Sequence, residues 1–409
     1  MSWIKFCLVV FIVLHLAQVS SATDLEPPLK VVWASRLGVT STDITPQSIE
    51  IIADDVIYVN YETLKVIDAT DGKPLWNKDW SAGLAYKDGV LYAARDFSSG
   101  LYALDARTGK EIWWNEYPEL EEVIKNNAPV PVRYDLSNFN DTLYIISKGG
   151  ISAGFSILAV DTDGKLKWHQ KYNGRTDRRP LVSSNVIVVP YSSSGQIIQN
   201  LRALDLENGE TIWEVTNISL QSSFYASPDM FFIDQLYENN SYYIMAISEA
   251  TGETVWKRRV GDSYGKILAI KDNKLFVNSE NFKIIGQERG ATLAEYSITL
   301  DPSLLEYFPA AISNNTIYVV TTGPSPYIYA INLSTGKLLW KGENGGISPY
   351  FYKNRLYLIN YGKLYAYEHG VETAPAWPTE KAAGFELVLA INALLIIAYI
   401  SGRKRTGAS

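Results

Sequence analysis

The sequence predicts an all-β protein: an eight-bladed β-propeller whose blades are four-stranded antiparallel sheets. Three observations support this prediction. A short motif recurs along the chain, its copies are separated by roughly the length of one propeller blade, and aromatic residues are abundant, with 27 Tyr and 11 Trp among 409 residues. Aromatic side chains are enriched in β-strands, so the composition agrees with the repeat.

The repeated motif is a β-rich run that ends in Asp or a similar residue, followed by a Gly-containing turn and, four residues after the Gly, a Trp. A complete copy runs from Ala103-Leu104-Asp105 through Gly109 to Trp113. A degenerate copy has Ala294 where Trp is expected, and successive motif positions lie 37 to 55 residues apart. The Trp residues in this register are Trp33, Trp76, Trp113, Trp168, Trp213, Trp256 and Trp340.

Each residue type in the motif suits a tight turn at a blade edge. Gly adopts a positive φ without steric cost, and the Asp or Asn can accept local backbone hydrogen bonds. Trp offers a broad flat surface that can cover the neighbouring blade. We therefore interpret the tryptophans as structural, in preference to the alternative of a cofactor platform.

The two ends of the repeat region complement each other. After Trp340 the sequence predicts three strands, at residues 347–352, 355–360 and 363–368, without a fourth. Residues 30–37 contain Trp33 and lack the three strands that should precede it. We therefore expect the last blade to be shared between the termini, which closes the ring and removes exposed sheet edges.

The terminal segments are predicted to lie outside the propeller of residues 30–368. Residues 1–22 have a basic start, an apolar run and small residues before the expected cleavage site, as in a signal peptide; the alternative is a retained signal anchor. Residues 23–29 and 369–381 are interpreted as linkers. Residues 382–400 are apolar and long enough for a transmembrane helix, although a buried amphipathic helix is the alternative. Residues 401–409 form a basic tail expected in the cytoplasm.

These segments predict an exported protein that is anchored in the cytoplasmic membrane with its propeller outside. Connectivity places the turns that carry Asn140, Asn314 and Asn332 on the face nearer the bilayer. The opposite face, which is expected to carry Arg178, Arg179, Tyr225 and Asn217, should then meet partners.

The repeated unit resembles that of pyrroloquinoline-quinone (PQQ)-type propellers, which include quinoprotein alcohol dehydrogenases and the outer-membrane assembly propeller of bacteria. In the enzyme branch, the resemblance implies a quinone beside a disulfide of adjacent cysteines, a calcium ion and a catalytic Asp. The only cysteine, Cys7, lies in the predicted signal peptide. No cofactor, catalytic residue or metal ligand is therefore carried over to this chain.

The C-terminal tail is similar to archaeal sorting signals that combine a Pro-Gly-Phe-type motif, a hydrophobic stretch and a basic end. The matching residues are Gly384-Phe385-Glu386, residues 387–400 and residues 403–405, with Ala383 in the usual place of Pro. The resemblance implies an archaeal protein whose tail is either processed or retained as a membrane helix.

Charge and composition argue against two classes of partner. The formal net charge is −7, so no global basic field attracts nucleic acid. Only His169 and His369 remain after the expected cleavage, which disfavours a histidine zinc site.

Candidate binding residues lie in the loops that enter the innermost strands, because these loops converge on the propeller axis. They are Arg133, Arg178, Arg179, Tyr225 and Tyr307. Arg and Tyr are favoured in recognition, although they are also ordinary solvated loop residues. Residues 116–125 form an acidic insertion that is either a partner-contacting flap or a solvated turn.

Five Asn-x-Ser/Thr sequons are candidate glycosylation sites in an exported protein, with chance occurrence in Asn-rich turns as the alternative. They begin at Asn140, Asn217, Asn239, Asn314 and Asn332.

Two functions remain open. The first is a non-catalytic scaffolding module that binds a protein partner or a surface glycan. The second is an extracytoplasmic enzyme, either a degenerate dehydrogenase or a hydrolase or lyase.

Overall fold

The computed structural model describes residues 25–38, 48–60, 62–127, 132–148, 154–176, 179–192, 198–219, 224–297, 310–322 and 326–370. Contacts divide the chain into a unit of residues 1–369 and a second unit of residues 370–409, and the fold described below belongs to the first. The predicted signal peptide, transmembrane segment and basic tail lie outside the described residues. Within the described residues, no helix is both long and apolar enough to cross a bilayer.

The described residues form eight four-stranded antiparallel sheets, which confirms the predicted all-β propeller architecture. The first four sheets are β2 (Ser48–Ala53), β3 (Val56–Asn60), β4 (Leu64–Asp68) and β5 (Pro74–Lys78); β6 (Ala82–Lys87), β7 (Val90–Arg95), β8 (Gly100–Asp105) and β9 (Glu111–Glu116); β10 (Arg133–Phe139), β11 (Thr142–Lys148), β12 (Phe155–Asp161) and β13 (Leu166–Tyr172); and β14 (Leu181–Val182), β15 (Val186–Tyr191), β16 (Ile198–Asp205) and β17 (Thr211–Ser219).

The next three sheets follow the same order along the chain. They are β18 (Phe224–Ser227), β19 (Met230–Glu238), β20 (Ser241–Ser248) and β21 (Thr254–Gly261); β22 (Lys266–Lys271), β23 (Lys274–Asn278), β24 (Phe282–Gly286) and β25 (Thr292–Tyr296); and β26 (Ala311–Ser313), β27 (Thr316–Val320), β28 (Tyr327–Asn332) and β29 (Leu338–Glu343). One helix, α1 (Pro118–Asn127), lies between the second and third sheets.

The eighth sheet contains strands from both ends of the described chain. It consists of β30 (Ile347–Tyr352), β31 (Arg355–Asn360) and β32 (Lys363–His369), with β1 (Leu29–Arg36) as the outer strand. The β1–β32 ladder is antiparallel and runs from Leu29 opposite His369 to Arg36 opposite Lys363. This pairing is the one predicted from the incomplete unit at each end.

The hydrophobic core consists of eight apolar clusters, each lying between two successive sheets. One cluster joins the first and second sheets through residues such as Tyr58 and Leu91. Another joins the eighth sheet to the first through Tyr357 and Ile57. Both faces of most sheets are thus covered, which explains why residues of middle strands such as β11 and β15 are almost uniformly buried instead of alternating between buried and exposed.

The Trp and Gly of the repeated motif contact each other across neighbouring sheets. The Trp256 indole N–H donates to the carbonyl of Gln287 at 2.6 Å. Gly290, on the next sheet, has a φ of 61°, and a Cβ added there would lie 2.5 Å from the Trp256 ring. Trp76, Trp113, Trp168 and Trp213 make the corresponding hydrogen bond to the following sheet. The motif is therefore the joint between blades.

The degenerate copy is completed by a residue two positions beyond Ala294. The Tyr296 hydroxyl donates to the Ser334 carbonyl at 2.9 Å, and its ring covers Gly336, where an added Cβ would lie 2.0 Å away. Tyr296 and Ala294 point to the same face of the strand because side chains alternate. A Tyr can therefore replace the Trp from the adjacent position on that face.

The start of the described chain is packed into the core. Sequence reasoning assigns residues 23–29 to a linker, yet Leu25 is buried between the seventh and eighth sheets. Its backbone N–H donates to Ser313 Oγ at 3.1 Å, and its carbonyl accepts from the Tyr318 hydroxyl at 2.7 Å. In other sheets the corresponding Tyr hydroxyl bonds a residue of the Gly turn, as Tyr58 does with Ala106. Leu25 therefore substitutes for a turn residue.

Candidate functional site

The strand connectivity gives the propeller two structurally different faces. The connections between successive sheets and the turns between second and third strands lie on one side, which we call the loop face. The turns between first and second strands and the Gly turns lie on the other side, which we call the turn face. The loop face carries the long β9–β10 connection with helix α1 and is therefore the more elaborate of the two.

An ion pair links two sheets that are not neighbours in the ring. Arg179, which precedes β14 in the fourth sheet, lies with its Nη1 3.2 Å from Oε2 of Glu50 on β2 of the first sheet. Both side chains are partly buried, and Ser48 also donates to Glu50. Burial raises the pKa of Tyr350, on the eighth sheet, to about 12, while the Arg179 charge opposes the rise. Two innermost strands, β2 and β30, thus place polar groups around Arg179 at the axis.

The other sequence-predicted binding residues are not placed in this axial group. Arg133 is exposed at the start of β10. Tyr225 is buried, and its hydroxyl donates to the Ile267 carbonyl of the next sheet at 2.6 Å. This hydrogen bond gives Tyr225 a role in the joint between the fifth and sixth sheets. Arg178 and Tyr307 lie outside the described residues. Glu50 and Tyr350 were not identified from sequence.

A cavity of about 620 Å³ opens on the loop face beside the second sheet. Its walls come from the ends of the first two sheets and from helix α1, and they combine carboxylates with aromatic and aliphatic groups. The lining residues are Glu62, Asp79, Trp80, Ser81, Arg95, Asp96, Phe97, Ser98, Ser99, Glu116 and Ile124.

One wall of the cavity is aromatic. The Trp80 ring stacks on Tyr102 with centroids 5.3 Å apart, and the Arg95 guanidinium carbon lies 5.8 Å from the Trp80 centroid. A cation at that distance is attracted by the electron-rich face of the indole. Phe97 stands beside this wall with 58% of its surface exposed and a φ of 62°.

The four carboxylates of the cavity are not equivalent. Glu116 accepts from Ser99 Oγ at 2.8 Å. Asp96 is buried and accepts from Ser81 Oγ at 2.6 Å and from the Tyr134 backbone N–H at 3.0 Å. Burial raises the pKa of the Asp96 carboxyl above its usual value. By contrast, Glu62 and Asp79 are exposed to the cavity.

Asp96 has a structural role that recurs in other sheets. Asn60 accepts in the same way from the Ala82 N–H of the second sheet at 3.3 Å, and Asp234 accepts from the Ile267 N–H of the sixth at 2.9 Å. Asn60 ends a second strand, Asp96 follows one and Asp234 lies within one, and each side chain holds the first strand of the next sheet. The carboxylates left for a ligand are therefore mainly Glu62, Asp79 and Glu116.

Helix α1 corresponds to the acidic insertion. It begins at Pro118, a favoured first helical residue, and carries Glu119 and Glu121 in its first turn. Leu120 and the preceding Tyr117 are buried in the cluster between the second and third sheets, and Ile124 packs against that cluster. The spacing of Tyr117, Leu120 and Ile124 is a helical signal that sequence reasoning missed. The insertion is anchored to the blades, and its Ile124 faces the cavity.

The sequons differ in their surroundings. Asn140, Asn239 and Asn314 are exposed at tight turns with positive φ. The Asn332 carbonyl oxygen of the side chain accepts from Ser334 and Thr335 within a Gly turn. Asn217 lies in β17, but its side chain is outside the described part of the structure. Glycosylation of these residues remains a prediction.

The described residues contain no group of three or more His, Cys, Asp or Glu side chains arranged to hold a metal ion.

The family described as "Outer membrane protein assembly factor BamB" matches this chain over residues 60–223 and 240–373. The protein of that name from Yersinia pestis is 21% identical over 278 residues, which cover 66% of this chain and 59% of the relative. Tetrathionate hydrolase from Acidithiobacillus ferrooxidans is 25% identical over 325 residues, covering 68% of this chain and 62% of the relative. The chain thus spans less than two thirds of each of these relatives.

Solved structures show the same fold. BamB from Moraxella catarrhalis superposes with a TM-score of 0.56 at 14% identity, covering 83% of this chain and 100% of that one. A quinohemoprotein alcohol dehydrogenase from Comamonas testosteroni superposes with a TM-score of 0.59 at 13% identity, covering 83% and 76%. Since the family match extends over more than half of the sequence, this chain belongs to the BamB family of PQQ-type repeat propellers.

Proposed function

We propose that this protein is an exported, membrane-anchored propeller that acts as a non-catalytic scaffold and binds a protein partner through its loop face. Its family is named for an assembly factor, and a scaffolding role agrees with that name. The observation that carries the proposal is the exposure of aromatic residues on strained loop-face turns.

Two aromatic residues, Phe97 and Tyr361, have a positive φ in the described part of the chain. Their φ angles are 62° and 45°, and they are 58% and 76% exposed. Most of the other non-glycine residues with positive φ are Asp or Asn at turns, which tolerate this conformation well. Both Phe97 and Tyr361 follow second strands and lie on the loop face.

A bulky residue with a positive φ destabilises the folded state. An exposed side chain makes few packing contacts that could offset this cost. Aromatic side chains are also enriched at the energetic centres of protein interfaces. A role in contacting a partner accounts for both the strain and the exposure. The interface we propose therefore extends from Tyr361 on the eighth sheet, past Glu62 on the first, to Phe97 on the second.

The geometry of the chain ends supports an orientation with the loop face away from the membrane. His369 Nδ1 lies 2.8 Å from the Glu26 carbonyl oxygen, and both residues are on the turn face. The predicted transmembrane segment, residues 382–400, lies beyond His369. We therefore propose that the turn face, with Asn140, Asn314 and Asn332, is nearer the bilayer.

The proposal is tested by placing a photo-crosslinking amino acid, p-benzoylphenylalanine, at position 97 or 361 of the full chain in native membranes. We expect each position to give a discrete adduct on irradiation. The same amino acid at Glu288, an exposed turn-face residue, serves as the matched control and should give none. Adducts of equal yield from all three positions, or from none of them, would contradict the proposal.

A companion substitution separates binding from folding. Phe97→Gly relieves the positive-φ strain and removes the exposed ring, so the folded state should be as stable as the parent or more so. We expect the variant to lose its partner in a pull-down from detergent-solubilised membranes. Retention of the partner with full yield would show that the ring is not part of the interface.

The alternative of an extracytoplasmic enzyme is favoured by one observation, the names of several relatives. Besides the tetrathionate hydrolase, a quinoprotein ethanol dehydrogenase from Pseudomonas putida is 30% identical over 138 residues, covering 31% of this chain. Incubation with tetrathionate, and with ethanol plus PQQ and calcium, tests this alternative directly. Turnover of either substrate by the purified protein would favour an enzyme over a scaffold.

A further inference from the structure

We propose that the cavity beside the second sheet binds a basic side chain, Lys or Arg, from a segment of the partner polypeptide. This inference deepens the proposed function and rests on it. The cavity adds negatively charged carboxylates and an aromatic wall to the exposed aromatic rings of the proposed interface.

The cavity walls match a basic side chain in two separate ways. Three carboxylates, Glu62, Asp79 and Glu116, face the opening, and only Glu116 has a hydrogen-bond donor from another side chain that lines the cavity. The apolar surface of Trp80, Phe97 and Ile124 suits the methylene stem of Lys or Arg, which packs on apolar groups while its charge stays polar. A neutral apolar ligand would leave the carboxylates poorly solvated.

The structure already contains an example of this recognition. The Arg95 guanidinium lies 5.8 Å from the centre of the Trp80 ring, so the aromatic wall accepts a cation on one side. The carboxylates outnumber this single internal cation. The charge left over is negative, and a second positive group complements it.

The size of the cavity fits one side chain and a short stretch of its backbone. About 620 Å³ lies within the range of sites that enclose small ligands. The opening lies next to Phe97, so a peptide bound to that ring would present its neighbouring residue to the carboxylates. A basic residue adjacent to an apolar one is therefore the partner sequence that we infer.

The test uses the full chain in detergent and two capped peptides of equal length, Ala-Lys-Phe-Arg-Ala and the charge-reversed Ala-Glu-Phe-Glu-Ala. Affinity is measured by calorimetry. We expect the basic peptide to bind about tenfold more tightly than the acidic one, because each charge contact with a carboxylate changes the affinity by up to about tenfold. Added salt should reduce this preference because the carboxylates are near solvent.

Variants locate the binding. Glu62→Gln combined with Asp79→Asn should weaken the basic peptide about fivefold. The matched control is Glu207→Gln combined with Glu288→Gln, two exposed turn-face residues with the same total change in charge, and it should leave affinity unchanged. Equal affinity for both peptides, or equal weakening in both variants, would overturn the inference.

The two proposals fail in distinguishable ways. If position 97 crosslinks to a partner but the peptides bind without charge preference, the inferred basic side chain is wrong and the scaffold function stands. If the basic peptide binds as expected but no crosslinked partner forms in membranes, the charge recognition is right and the scaffold function is wrong.

Discussion

The hydroxyl of Tyr318 donates a hydrogen bond of 2.7 Å to the carbonyl oxygen of Leu25, although 293 residues separate them in the chain. Leu25 is buried against the seventh and eighth sheets and occupies a position that Gly-turn residues fill in other sheets. The segment before β1 is therefore part of the fold.

Leu25→Ala should destabilise the propeller by about 2–4 kcal/mol, because it removes a buried side chain and leaves a cavity between two sheets. Chemical denaturation followed by Trp fluorescence measures the change. Val31→Ala, at a position that is 43% exposed on β1, is the control and should alter stability little. A similar loss in both variants would indicate that the strand as a whole, and not the Leu25 contact, is sensitive.

Gly290→Ala tests the Trp–Gly joint. At a φ of 61°, with an added Cβ 2.5 Å from the Trp256 ring, we expect a loss of about 3 kcal/mol from backbone strain and steric overlap together. Gly89→Ala provides the control, since its φ is 80° but nothing lies within 4 Å of an added Cβ. That variant should lose only the backbone contribution of about 1 kcal/mol. Equal losses would show that the Trp contact adds nothing.

Asp96→Asn should change how stability depends on pH. Burial raises the pKa of Asp96 in the folded state, so the native protein binds this proton more readily than the unfolded chain does. The contribution of Asp96 to stability is therefore largest below its unfolded pKa and is lost as the pH rises through its folded pKa. Relative to the Asn variant, the parent should gain stability as the pH is lowered from neutral towards the ordinary pKa of an Asp carboxyl.

The measurement is the difference in unfolding free energy between parent and variant across that range. Asn is a suitable replacement because Asn60 makes the equivalent hydrogen bond in the first sheet. A difference that is constant with pH, or one that grows in the opposite direction, would contradict the assignment of a raised pKa to Asp96.

The axial ion pair should show energetic coupling in a double-mutant cycle of Glu50→Gln and Arg179→Gln. The pair joins the first and fourth sheets and is partly buried, so we expect a coupling of about 0.5–1 kcal/mol at low salt. The same cycle on Asp71 and Lys73, an exposed pair at a turn, should give no measurable coupling. Coupling of the same size in both cycles would argue against a special role for the axial pair.

The repeat motif predicts the fold well because each copy makes the same contact between two neighbouring sheets. The Trp and the Gly meet across every pair of sheets where both are present, so their spacing along the chain reports the blade length directly. The incomplete units at residues 30–37 and 347–368 predict the shared sheet for the same reason. The motif departs from this pattern at Ala294, where Tyr296, the next residue on the same face of the strand, makes the contact with the following sheet.

The features of the candidate site are harder to read from sequence. Glu50 and Arg179 lie 129 residues apart, and their contact depends on which innermost strands face each other across the axis. The strain at Phe97 is a property of the backbone. Phe rarely adopts a positive φ, so its presence in the sequence does not predict this conformation. Helix α1 is different, because the spacing of Tyr117, Leu120 and Ile124 indicates a helix even though acidic residues lie between them.

The 2.8 Å contact between His369 and Glu26 means that the propeller is nearly a cyclic polypeptide with a single interruption. The described ends could be joined by a short linker and the chain reopened in a connection between two sheets, such as residues 262–265 between β21 and β22, without interrupting a blade. A circular permutant of this kind would contain eight blades that each derive from one continuous stretch of chain. The position of the natural interruption therefore determines where the two ends of the propeller lie, while the contacts that close the ring do not depend on it.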